Sequence, residues 1–127
     1  MTEYLHSELT GKIIKAFYNV YNELGYGFLE KVYEKAMLIE LDGLGLECSA
    51  QHSIKVYYDG HEVGEYYADI LVENKLIIEL KAVEEINDVH LAQTLTYLKL
   101  SGCKLGLLMN FNVAILKNGI KRVVNGL

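Results

Sequence analysis

The sequence predicts an α+β (mixed α/β) domain: a central mixed sheet flanked by helices, in the order α-α-β-β-β-α-β-β-β. Three observations carry this. Apolar residues recur at helical spacing over residues 9–24 and 28–44. The period then changes to two over residues 48–82. Helical spacing returns at residues 87–100, followed by short apolar runs.

Each element follows from its residues. The first helix aims Ile13, Ile14, Phe17, Val20, Tyr21 and Leu24 at a core, and Gly25-Tyr26-Gly27 breaks it. The second turns Leu29, Val32, Tyr33, Ala36, Met37 and Leu41 inward and closes at Gly43 and Gly45. Residues 53–58 and 62–72 read as strands joined at Asp59-Gly60. Residues 76–82 form a third strand. The helix at 87–100 stops at Ser101-Gly102, and 105–111 reads as a buried strand. Residues 113–116 and 120–124, joined by Lys117-Asn118-Gly119, read as a last hairpin and a possible edge for pairing. The chain has no proline, so its turns rest on Gly, Asn and Asp.

The totals bound the function. A chain of 127 residues suits one domain, 1–127. Its 51% hydrophobic and 23% charged residues are those of a globular protein. No run is long and apolar enough to span a bilayer. The start, MTEYLHSELTGK, lacks the basic-then-apolar pattern of a secretory signal. Cys48 and Cys103 lie far apart, which reads as reduced thiols in a cytoplasmic protein. A net charge of −5 weighs against gripping long nucleic acid by bulk electrostatics. A small local basic patch is still compatible with it; Lys117, Lys121 and Arg122 are either that patch or a solvated strand face. His52 and His61 have no nearby Cys pair to complete a zinc site.

The chemistry lies in YADILVENKLIIELKAVEE, residues 67–85. A two-residue loop at Asn74-Lys75 would mix charge with aliphatics on both faces of this hairpin. A three-residue loop, Glu73-Asn74-Lys75, pairs Asp69 with Glu79 instead. Ala68, Ile70, Val72, Leu76, Ile78 and Leu80 then share one apolar face. Asp69, Glu79 and Lys81 gather at one end of the other, with Leu71 and Ile77 toward the loop. A one-residue slip flips every side chain, so the cleaner segregation is favoured, and Asn suits the left-handed position such a loop needs.

Opposed carboxylates repel, more so when desolvated. A hard divalent ion such as Mg²⁺ removes that cost and takes carboxylate and backbone oxygens, here including the Leu80 carbonyl. Lys81 would then steady an attacking water or offset charge on a phosphate. An ordinary ion pair of Lys81 with Glu79 or Asp69 fits the same spacing.

Asp69, nine intervening residues, then Glu79-Leu80-Lys81 resembles the D…ExK signature of the PD-(D/E)XK nuclease superfamily. Upstream, GFLEKVY (residues 27–33) resembles the GxxExxY motif that names one family within it. Downstream, HLAQTLTYLKLSG (residues 90–102) resembles that family's helix, with Gln93 and Tyr97 at its signature positions. One departure is Ala68, where the superfamily's name has proline. The resemblance implies a restriction-endonuclease-like core and a metal-dependent phosphodiesterase site. It implies Asp69 and Glu79 as ligands of Mg²⁺ or Mn²⁺, Lys81 as the catalytic lysine, Glu30 as the acidic residue of the first core helix, and Gln93 as the auxiliary polar residue.

Other readings stand beside these. Glu30 in the first turn of its helix is stabilised by the helix dipole without any metal. Gln93 and Tyr97 share a helical face, with His90 a turn before Gln93, so that stripe either faces a cleft and substrate or lies in solvent. Tyr33 is a core aromatic or a substrate-stacking residue. Two functions are therefore expected: a Mg- or Mn-dependent nuclease acting on DNA or RNA, or a catalytically inactive nucleic-acid- or protein-binding module on the same fold. Either would use a homodimer or a partner protein to enlarge its small surface.

Overall fold

A computed structural model describes residues 6–126; the reading of the first five residues as free of a signal lies outside the described residues. The elements are α1 (Ser7–Leu24), α2 (Glu30–Gly43), β1 (Cys48–Tyr58), β2 (His61–Val72), β3 (Leu76–Lys81), α3 (Asp88–Ser101), β4 (Leu105–Asn110), a single 3-10 turn (Leu116–Gly119) and β5 (Ile120–Val124). The domain is α+β, as its periodicities predict. One sheet runs in the order β1-β2-β3-β4-β5. β3 and β4 are parallel, and the other neighbours are antiparallel. Parallel neighbours need a crossover, and α3 supplies it.

Helices cover both faces of the sheet, which explains why β3 and β4 are buried almost throughout and mostly apolar, Glu79, Lys81 and Asn110 lying toward their C-terminal ends. On one face α1 and α2 pack through Ile13, Phe17, Tyr33, Met37 and Leu41 onto Ile70, Ile78, Leu80, Leu107 and Met109. The Tyr33 ring stacks on Phe111 with centroids 4.0 Å apart, and Phe17 meets Phe111 edge-on at 4.5 Å. On the other face Tyr97 and Leu98 of α3 pack with Ile54, Ala68, Leu71 and Ile77. Gly106 lets α3 come close to β4: a Cβ there would lie 3.1 Å from the Thr94 methyl.

Three expectations need correction. Residues 113–116 form no strand. The chain turns back through the 3-10 turn, which buries Leu116, and β5 pairs with β4 instead, from Met109–Ile120 to Leu105–Val124. Leu29 and Val32 are exposed rather than inward, because the buried stripe of α2 is Tyr33, Glu34, Met37 and Leu41. Ala68 leaves the face of Ile70 and joins Leu71 and Ile77. The cause is an irregularity: the β1–β2 ladder runs from Ala50–Ile70 to His52–Ala68 and skips Gln51 and Asp69, with Gln51 in the left-handed region at φ 50°. The alternation shifts phase there. Beyond Asp69, β2 pairs with β1 alone, so the two strands continue as a two-stranded arm to Tyr58–His61, packed near its base on α3 through Ile54 and Ala68.

Candidate functional site

The register of β2 and β3 places the two carboxylates together. Ile70–Ile78, Leu71–Ile77 and Val72–Leu76 are paired, which carries Asp69 opposite Glu79. Glu73 and Asn74 of the connecting loop both take left-handed φ, at 53° and 55°. Backbone pairing ends at Ile70–Ile78, and side chains take over. Glu79 Oε2 accepts the Asp69 N–H at 2.7 Å, and Asp69 Oδ2 accepts the Leu80 N–H at 2.7 Å. The strands part here because each carboxylate occupies a place that a ladder bond would fill.

Burial sets the electrostatics. Glu79 is 4% exposed. Desolvation, then the charge of Asp69, pushes its pKa up to about 8, against the pull of the Asp69 N–H and of Lys81. Asp69, half-buried, is also raised, chiefly by desolvation, while the Leu80 N–H opposes the rise. Lys81 ends β3 half-buried. Among the described residues it forms no ion pair within 4.0 Å of Asp69 or Glu79, so the simple ion-pair reading does not hold. Its charge reaches both carboxylates from further away.

Glu30, exposed at the start of α2, accepts the Ala82 N–H at 3.3 Å, which brings its carboxylate to the end of β3. Tyr97 lies against the opposite side of the sheet. Its hydroxyl pKa is raised by burial, then by the charges of Glu79 and Asp69. Gln93, one helical turn before Tyr97, is exposed.

Two expected substrate contacts belong to the scaffold. Tyr33 is fully buried, donates its hydroxyl to the Gly25 carbonyl at 2.7 Å and accepts the Phe28 N–H at 3.3 Å. It has no surface to offer a base; it ties the α1–α2 connection and so fixes where Glu30 begins its helix. His90 completes a capping box. Its N–H donates to Asn87 Oδ1 and its Nδ1 accepts the Asn87 N–H, both at 3.1 Å.

Three residues were missed. Glu34 is 6% exposed, ion-paired with Lys31 at 2.8 Å and hydrogen-bonded by the Gln51 amide. That amide also reaches Asp69 Oδ1 at 3.5 Å, so a cleft lined by Glu30, Lys31, Glu34, Gln51 and Asp69 opens beside the pair. Glu34 was findable as the residue one turn beyond Glu30 on the same face. Gln51 was not, because its reach depends on the irregular ladder. Asn110 is buried and mimics a strand: Nδ2 donates to the Val83 carbonyl at 2.8 Å, and Oδ1 accepts the Val83 and Asn112 N–H groups at 3.1 Å.

The donor chemistry fits a hard divalent cation. Two desolvated, mutually repelling carboxylates each keep an oxygen free of the backbone bonds described above. The Leu80 carbonyl leaves β3 on the same edge as its N–H, toward Asp69. Among the described residues no three His, Cys, Asp or Glu side chains gather closely enough to hold a metal, so Glu30 does not close on the pair as a third carboxylate.

The model of the PD-(D/E)XK nuclease superfamily matches residues 7–123, and the chain belongs to that superfamily. The fold is similar to the crystal structure of SSO0001, with a TM-score of 0.53 at 18% identity over 76% of this chain. The chain spans about half the length of that protein (50%), and the likeness is one of fold. No curated protein matches the sequence. No described helix is long and apolar enough to cross a membrane.

Proposed function

We propose that this domain is a metal-dependent phosphodiesterase that hydrolyses nucleic acid at the parted end of β2 and β3. The observation that carries the reading is the Asp69–Glu79 pair, whose burial and mutual repulsion make a cation welcome. Asp69, Glu79 and the Leu80 carbonyl would hold Mg²⁺ or Mn²⁺, with Glu30 at the rim. The metal would supply Lewis-acid stabilisation of the phosphate and a more acidic bound water. Lys81 places a positive charge beside the carboxylates, where it offsets charge building on the phosphoryl oxygens and orients the incoming water. Gln93 is the polar group that α3 would offer to substrate, and Tyr97 backs the carboxylates from the α3 side of the sheet. Membership of the GxxExxY family fits Gly27, Glu30 and Tyr33, which together seat Glu30 against β3.

Cleavage of labelled DNA and RNA with Mn²⁺ or Mg²⁺ tests this. Wild type should cut, and Glu79→Gln and Lys81→Ala should each lose at least about 100-fold in rate. An undiminished rate in either variant sinks the mechanism. The net charge of −5 favours one second reading, a protein-binding domain of this fold that does not cut. It predicts no metal-dependent product and no appreciable binding of the labelled nucleic acid by wild type or by Glu79→Gln.

A further inference from the structure

The β1–β2 arm starts where the carboxylates sit, and its two faces differ. One carries Ser53, Lys55, Glu65 and Tyr67, from the pairs Ser53–Tyr67 and Lys55–Glu65. There Lys55 is ion-paired with Glu62 at 3.4 Å, and Tyr67 is hydrogen-bonded to Glu65, so its polar groups are engaged with one another. The other, on the side of α3, carries His52, Ile54, Val56, Gly64, Tyr66 and Ala68 and not one carboxylate. Tyr66 is 47% exposed, and its ring centroid lies 5.9 Å from that of Tyr97. Tyr97 in turn feels the charge of Glu79 and Asp69. Beside Tyr66, Gly64 leaves room next to the ring: a Cβ there would meet Tyr66 at only 4.0 Å and Val56 at 3.9 Å.

Two tyrosine rings, the buried Tyr97 near the carboxylates and the exposed Tyr66 beyond it, thus lead outward to an acid-free face of the arm, on a chain too acidic to hold a polyanion by bulk charge. Stacking is the sequence-tolerant force that remains, and it requires bases that are not already paired. We infer that Tyr66, with the space at Gly64, stacks unpaired bases of the substrate, and that the domain acts on single-stranded nucleic acid or on a single-stranded segment adjoining the cleaved bond. This rests on the nuclease reading of the site.

The test is fluorescence anisotropy of a labelled 15-nucleotide single strand and of the blunt duplex of the same sequence, without added metal, using Glu79→Gln so that nothing is cut. The single strand should bind at least about 10-fold tighter than the duplex. Tyr66→Leu should weaken single-strand binding about 5- to 100-fold, the range of one lost base stack. Tyr66→Phe should keep it, Gly64→Val should weaken it, and Tyr67→Leu should leave it unchanged. Circular dichroism melts of each variant separate lost binding from lost fold. Equal affinity for strand and duplex overturns the inference, as does a folded Tyr66→Leu that binds normally. It is also overturned if Tyr66→Leu merely dissociates a dimer in sedimentation with no change in strand binding. A wild type that prefers single strands yet never cuts overturns the nuclease reading alone. One that cuts blunt duplex and single strand equally overturns the stacking alone.

Discussion

Asp69 and Glu79 complete each other's strands. Glu79 Oε2 takes the Asp69 N–H, and Asp69 Oδ2 takes the N–H of Leu80, the residue after Glu79, both at 2.7 Å. The two carboxyl groups are therefore fixed by the backbone that presents them, before any ligand arrives. Preorganisation of this kind holds like charges together at a cost in stability.

That cost makes stability depend on pH. Glu79 titrates near 4.5 when unfolded and near 8 when folded. A raised folded pKa means that its stabilisation is complete below pH 4.5 and is lost as pH climbs through about 8. Metal-free protein should therefore lose on the order of a few kcal/mol between pH 5 and pH 8. Urea melts at both pH values check this. Glu79→Gln should flatten the profile and stabilise the protein at pH 8 by about 1–3 kcal/mol. Mn²⁺ should stabilise wild type more at pH 8 than at pH 5. A wild type equally stable at both pH values would contradict the desolvated pair.

Gln51 joins the buried Glu34 to Asp69. Gln51→Leu should cost about 1–3 kcal/mol, because Glu34 keeps its burial and loses a donor. Pairing it with Glu34→Leu should cost less than the two single losses combined, since the orphaned acceptor is then gone as well. Urea melts of the four proteins close the cycle; simple additivity would separate the two residues.

How far the site could be read from sequence depended on regularity. Asp69 opposite Glu79 was legible because six aliphatics choose one register, and β2–β3 keeps that register up to Ile70–Ile78. Ala68 and Gln51 were not, because the left-handed Gln51 shifts the phase of alternation and a pattern of period two contains no such shift. On α2, Leu29 and Val32 looked inward by apolarity. Their neighbour Glu34 is buried instead because Lys31 and Gln51 satisfy it across 3 and 17 residues of chain. Tertiary partners decided that face. His90 was legible only as part of a stripe, although Asn87 three residues earlier is a capping signal in its own right.

Tyr33 tests whether GxxExxY is a substrate motif or a scaffold. Tyr33→Phe keeps the ring on Phe111 and removes only the hydroxyl bonded to Gly25 and Phe28. It should cost about 1–2 kcal/mol, leaving a carbonyl short of its donor. KM for any cleaved substrate should stay within about 2-fold, since a buried ring meets no base; kcat should fall only so far as Glu30 shifts. A large rise in KM with unchanged stability would restore Tyr33 to the substrate surface.

Gly119 explains why the last hairpin does not form, and it links that end of the chain to the site. A Cβ at Gly119 would stand 2.3 Å from the Asn110 carbonyl oxygen and 3.1 Å from a Val113 methyl. The 3-10 turn therefore closes directly on the end of β4, and only a residue without a side chain fits. Residues 113–116 are held in that fold-back rather than extended beside β5. Gly119→Ala should force backbone to move and cost about 1–3 kcal/mol. Asn110 is the part that must yield, and its amide grips Val83, two residues beyond Lys81, in both directions. Hydrogen exchange at the Val83 amide should quicken more than stability loss alone predicts, while exchange at Ile77 in mid-β3 should follow global unfolding. If both amides accelerate equally, Gly119 serves only the overall fold and has no hold on the segment after Lys81.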